Sequence, residues 1–164
     1  MGFTIYYHKY IYNCQIYLKF MEIEIICIGK IKESYMKSAI DTYIQRLRPY
    51  CKLKITEIKD SNKETESKKI LEAIGKRQNS KIVALSEDGE QFSSVTFSNK
   101  FKNPEKNVVF IIGGADGFSE EVKQKSDEVI SLSGMTFLHD MARLFLIEQI
   151  YRAHKILKGE PYHK

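Results

Sequence analysis

Residues Asn107–Ile112 read NVVFII, and the chain continues through Gly113-Gly114 into Ala115–Phe118, ADGF. Five successive apolar residues, Val108–Ile112, ended by glycine predict a strand buried on both faces, the pattern of a parallel sheet. Ser119 follows as a helix cap, with Glu120 and Glu121 in the first turn of a helix running to about Ser126. Strand, glycine turn and helix form the repeating unit of an α/β sheet, which receives ligands beyond the carboxyl ends of its strands. IIGGADGF (Ile111–Phe118) is not GxGxxG, and no GK[ST] follows. Neither the dinucleotide fingerprint nor the phosphate loop applies. Taken alone, the motif is equally a tight turn or a ligand loop.

Working outward, the same alternation recurs. Glu22–Ile28 reads as a buried strand ended by Gly29. Ser34–Leu47 places Met36, Ile40, Tyr43 and Leu47 on one helical face, and Pro49 stops it. Lys52–Ile58 alternates as a strand. Asp60–Ser67 is polar and reads as a mobile loop, followed by a helix over Ser67–Lys76 with Ile70, Leu71 and Ile74 inward. Lys81–Leu85 is a strand, with a turn at Glu87–Glu90 (EDGE), and Ser93–Phe101 a short helix. Val129–Leu132 is a last strand, Gly134–Leu138 a loop, and His139–Lys158 a long helix. The expected fold is an α/β domain with a mainly parallel sheet flanked by helices.

The chain's 164 residues are 43% hydrophobic and 29% charged, enough apolar side chain for one packed domain. The three cysteines, Cys14, Cys27 and Cys51, show no CxxC spacing. That argues against a disulfide framework or a zinc site and for a reducing compartment. No apolar run approaches the roughly 18 residues that span a bilayer. HExxH, DxD and cysteine–histidine clusters are all missing, so metal catalysis and triad hydrolysis have little support. Residues 1–20 differ from the rest: they hold five of the ten tyrosines, two lysines and no acid. They read as an extension outside the fold, with the domain opening at Met21. An aromatic arm touching RNA or a membrane surface is the alternative.

The net charge of +5 permits an anionic partner without demanding one. Its placement says more. Three of four histidines (His139, His154, His163) lie in the last 26 residues, with Arg143, Arg152, Lys155, Lys158 and Lys164. His154 reads as a solvated surface residue. Arg143 shares a helix face with His139, and Arg152 pairs with Glu148 at i,i+4. Met141, Ala142, Leu144, Phe145, Leu146, Ile147, Ile150 and Tyr151 surround nearly the whole helix. The sheet can cover only one side, so the pattern predicts a dimer. Ser131–His139, SLSGMTFLH, offers a loop of small and polar residues whose backbone could bond a purine-like edge; alone it reads as a connector.

Together, IGKIKE (Ile28–Glu33), IIGGADG (Ile111–Gly117), SLSGMTFLH, RLFLIEQIYRA (Arg143–Ala153) and PYHK (Pro161–Lys164) resemble the ribosomal RNA large subunit methyltransferase H family. These are small SPOUT-class enzymes that methylate N3 of a pseudouridine in helix 69 of 23S rRNA. The resemblance covers Met21–Lys164 and implies an α/β sheet with a C-terminal trefoil knot. It implies S-adenosylmethionine held at Leu85, Gly113, Leu132, Ser133, Gly134, Met135, Thr136 and Phe137. It implies a cytoplasmic homodimer acting on the assembled ribosome without a metal. Its active-site candidates are His139, Arg143, Arg152, Tyr162, His163 and Lys164, with His139 or His163 as base and the cations on developing charge or phosphates. Two positions depart from the family pattern: Leu138 stands where proline is usual, and Asp140 replaces a neutral residue. A non-catalytic RNA-binding module and a dinucleotide oxidoreductase are the competing classes; the second lacks its glycine spacing.

Overall fold

In the computed structural model, which describes residues 21–102 and 105–163, β1 is Glu22–Ile28 and its last six residues are all buried. The remaining elements are α1 (Ser34–Leu47), β2 (Lys52–Ile58), α2 (Lys63–Gly75), β3 (Ser80–Gln91) and α3 (Ser94–Ser98), which runs into a 3-10 turn at Asn99–Phe101. Then come β4 (Asn107–Ile112), α4 (Glu120–Gln124), β5 (Glu128–Ser131) and α5 (His139–Leu157). The five strands form one parallel sheet in the order β2-β1-β4-β3-β5. The extension at 1–20 and Lys164 lie outside the described residues.

Alternation along each strand divides the core in two. Ile23, Ile25, Cys27, Val108, Phe110 and Ile112 face α1, α3 and α5, packing with Met36, Ile40, Leu47, Phe97, Leu146 and Ile150. Ile26, Ile28, Ile82, Ala84, Val109 and Ile111 face α2 and α4, packing with Ile70, Phe118 and Val122. Burial on both faces is why β4 and most of β1 are unbroken apolar runs. Burial also pushes the thiols of Cys27 and Cys51 up, to about 11 and about 12, so both are packing groups rather than reactive thiolates.

Three details correct the sequence reading. Residues 60–67 are not all loop. The helix starts at Lys63, where Asn62 Oδ1 accepts from the Thr65 amide at 2.9 Å, and Glu66 and Ser67 are buried. The EDGE turn does not end its strand. Leu85 and Glu90 both pair with Ile130, so residues 86–89 leave the ladder and the strand resumes at Glu90–Gln91. His154 is not solvated. It is 1% exposed, stacked 5.6 Å from the Tyr50 ring and 5.6 Å from Phe101. Ser119 does precede α4, but its hydroxyl makes no cap bond.

Candidate active site

The carboxyl ends of β3, β4 and β5 open into one cleft of about 470 Å³. Leu85 and the 86–88 excursion form one wall, Gly113–Phe118 the second, and Ser131–Ser133 with Met135–Phe137 the third; His139 and Ala142 close it from α5. Three stretches far apart in sequence, each expected to touch cofactor, thus line one cavity. Gly134 lies within the third wall's loop.

Each wall is built locally. At Gly113 a Cβ would lie 2.8 Å from the Gly117 carbonyl carbon, so only glycine lets the loop fold onto itself. The Gly117 amide donates to the Gly114 carbonyl at 3.1 Å. In the third wall, Ser131 Oγ donates to the Ser133 carbonyl at 2.6 Å, and Ser133 Oγ accepts from the Met135 amide at 3.1 Å. Short side chains bonding their own backbone shape a loop without secondary structure. The mouth is cross-linked. Thr136 donates its hydroxyl proton to Glu87, and Lys123 Nζ donates to Asp88 Oδ2 at 2.7 Å. The Lys123 ammonium, with Ser86, holds the Asp88 carboxyl down to about 2. Met135 and Leu138 are 73% and 75% exposed, an apolar rim on the same loop.

The basic residues separate into two groups. His139, at the start of α5, is on the cleft wall, with Nε2 3.3 Å from Asp140 Oδ1. One turn on, Arg143 is 1% exposed. Its guanidinium donates to Glu57 Oε1 at 2.9 Å and to the Gly29 carbonyl at 3.0 Å. That places Arg143 beneath the cleft, tying α5 to the ends of β1 and β2. Arg152 and Tyr162 sit further along. Glu148 Oε1 accepts from Arg152 Nη2 at 2.6 Å and from the Tyr162 hydroxyl at 2.9 Å. The Arg152 guanidinium lies 4.8 Å from the Tyr162 ring centre. Burial, with the Tyr43 hydroxyl and Glu148, pushes the Tyr162 phenol above its ordinary range, so it stays a neutral donor. His163 is exposed, and Lys164 lies outside the described residues.

Thirteen residues of helix separate His139 from Arg152, an axial rise of about 20 Å. The two groups therefore do not meet within one chain. Between them lies a second cavity of about 260 Å³, lined by Phe92, Phe97, Phe137, Phe145 and Glu148, which shares Ser131, Leu132 and Phe137 with the first. Phe137 packs edge-on against Phe145, with ring centres 5.1 Å apart. The 86–88 excursion and Lys123 are cleft residues that the sequence reading does not single out. Their polarity looks like ordinary surface, and only the pairing of Glu90 with β5 brings them to the mouth.

Comparison with known proteins places the chain in a family. A family model described as "Predicted SPOUT methyltransferase" matches residues 21–163. The chain is 44% identical over 161 residues to ribosomal RNA large subunit methyltransferase H of Clostridioides difficile strain 630, covering 88% of this chain and 100% of that protein. It is 45% identical over 141 residues to the protein of the same name from Prochlorococcus marinus, covering 85% and 94%. Among solved structures, a "probable methylase family protein" from Haemophilus influenzae Rd KW20 superposes with a TM-score of 0.56 at 10% identity, over 87% of this chain and 70% of that one. That last likeness is one of fold. Matched over nearly all of its described length, the chain belongs to the SPOUT methyltransferase family, among relatives that carry the name ribosomal RNA large subunit methyltransferase H.

Proposed function

We propose that this protein is an S-adenosylmethionine-dependent methyltransferase acting on N3 of a pseudouridine in helix 69 of 23S rRNA, on the assembled ribosome. The observation that carries the reading is the convergence of Leu85, Gly113 and the Leu132–Phe137 loop on one cleft of about 470 Å³. That volume suits a nucleoside-sized ligand. The names of the relatives support an rRNA substrate. The domain boundary at Met21, where the family match begins, belongs with this reading, as does the C-terminal trefoil threading.

The residues present fit the donor. Leu85, Gly113 and Leu132–Phe137 combine backbone polar groups with apolar surface, as an adenosine demands. When bound, S-adenosylmethionine supplies a methyl group on a cationic sulfur, which departs as a neutral thioether. The chain's own task is to hold the acceptor nitrogen in line with that methyl. The N3 proton must go to a base. His139 stands on the cleft wall for this, and His163 from the tail is the alternative. Charge spreading from N3 onto the flanking carbonyls is then met by Arg152, Tyr162 or Lys164. Arg143 holds the His139 turn in place from beneath.

A single chain separates His139 from the Arg152–Tyr162 group, so the complete site needs a second copy, which brings its tail to the cleft. Phe145 at 37% exposed, with half-buried Met141, Leu144 and Tyr151, gives α5 an apolar flank for that contact. The working form is thus a homodimer, acting in the cytoplasm where ribosomes are. Among the described residues, no helix is long and apolar enough to cross a membrane.

The test is incubation with labelled S-adenosylmethionine and ribosomes from a strain lacking the modification, followed by mass spectrometry of 23S rRNA. Label on N3 of a helix 69 pseudouridine is expected. Donor binding with no label on any rRNA would overturn the proposed substrate.

A further inference from the structure

Two buried polar residues, Glu66 and Ser67, stand side by side in the first turn of α2, 4% and 3% exposed. Neither lines the cleft, yet both reach the glycine loop that does. Glu66 Oε1 accepts from the Ser61 amide at 2.7 Å. Its other oxygen fills the space where a side chain at Gly114 would begin: a Cβ there would lie 2.7 Å from Glu66 Oε2 and 3.3 Å from Ile28 Cγ2. Ser67 Oγ accepts from the Ser119 amide at 2.9 Å. The loop is therefore held near its start by packing and just past its end by a hydrogen bond, both from one helical turn.

A loop with three glycines in five residues has many conformations open to it, and ordering them on ligand binding weakens affinity. We propose that Glu66 and Ser67 are positioning residues for the methyl donor, holding the Gly113–Phe118 loop in its binding shape before the ligand arrives. This rests on the reading that the cleft takes S-adenosylmethionine. Filling the space beside Gly114 is the role of the Glu66 carboxyl, so a neutral amide of the same size serves as well. Burial pushes that carboxyl up from its ordinary value, against the Ser61 amide and with Asp60 and Asp116.

Calorimetric titration of the full chain with S-adenosylmethionine tests the proposal, beside thermal melts and single-turnover rates. Glu66→Ala should weaken donor binding roughly ten-fold while leaving the rate at saturating donor unchanged. Glu66→Gln should restore affinity to within about two-fold of the unaltered protein. Gly114→Ala should also weaken binding, because its methyl meets the Glu66 carboxyl. In the double variant Glu66→Ala, Gly114→Ala the two losses should be less than multiplicative, since each change makes room for the other. Ser67→Ala gives an independent arm should Glu66→Ala fail to fold, and should weaken donor binding in the same sense. Unchanged donor affinity in Gly114→Ala and Ser67→Ala, or strictly multiplicative losses in the double variant, would overturn the proposal. If the unaltered protein itself bound no donor, the cofactor reading would fall, and this proposal with it.

Discussion

Helix α5 carries one histidine near each end, and the two live in opposite environments. His139 keeps a third of its side chain exposed on the cleft wall. His154, fifteen residues on, is sealed between Tyr50 and Phe101, and neither ring nitrogen has a partner among the described residues. Residue type says nothing about which is which; the helix's lie across the sheet decides. Its first turn overhangs the carboxyl ends of the strands, where backbone loops leave room for a ligand. Its last turns pack on α1 and the 3-10 turn, where aromatic side chains fill all the space. One end borders the cleft and the other is closed by packing.

The strongest way to break this contrast is to exchange function for stability. His139→Ala should slow single-turnover methyl transfer by about 10²–10⁴-fold, the usual contribution of a positioned base, with little change in melting temperature. An unchanged rate would move the base to the tail and leave His139 as a wall residue. Arg143→Ala, one turn away, should cost stability first and slow the rate only through the His139 turn that it holds. Its guanidinium is buried, so its loss leaves the Ile28 and Gly29 carbonyls and Glu57 without their donor. Denaturant unfolding should show a loss of about 3 kcal/mol.

At the packing end the prediction concerns acid. Burial, with Lys158 adding to it, pushes the His154 imidazole down to about 4 from an ordinary 6.5. The unfolded chain therefore binds a proton that the folded chain refuses between those pH values. Folding stability from this residue is intact above about pH 6.5 and declines as pH falls toward 4, by about 3 kcal/mol in all. His154→Phe keeps the aromatic volume and removes two unpartnered nitrogens. Its unfolding free energy should lack that acid slope and gain about 1 kcal/mol at neutral pH. An equal slope in the variant would show that His154 reaches water in the folded protein.

How far the sequence led depended on where each signal's partner lay. The strands were legible because a parallel sheet buries both faces and leaves apolar runs such as Asn107–Ile112. Their order, with β4 between β1 and β3, was not, because no local pattern records a neighbour. The glycine loop and the 131–139 loop were visible as motifs, but only their convergence with Leu85 makes a cleft. Residues 60–67 misled because Glu66 and Ser67 are polar and buried, satisfied by Ser61 and Ser119 rather than by solvent. The sequence cue for the helix start is the cap at Asn62 with Glu64 and Glu66 in the first turn. His154 carried a cue as well: it follows Ile147 and Ile150 at helical spacing on the buried face.

The smallest predicted effect lies at the junction of the cleft loop and α5. Leu138 is 75% exposed and has φ −57°, ψ 142°. That φ falls within the range to which a proline ring is locked. Its carbonyl accepts from the Ala142 amide in the first turn of α5, a bond proline keeps. The backbone therefore holds the proline conformation without the ring, and the substitution costs freedom only in the unfolded chain. Leu138→Pro should stabilise the fold by about 0.4–1 kcal/mol. Because the residue sits immediately before His139, the same change should stiffen the cleft end of the helix and leave the packing end untouched. Hydrogen exchange resolves the two: slower exchange confined to residues around 132–142 is expected. A destabilised variant would show instead that the loop must leave this conformation to work.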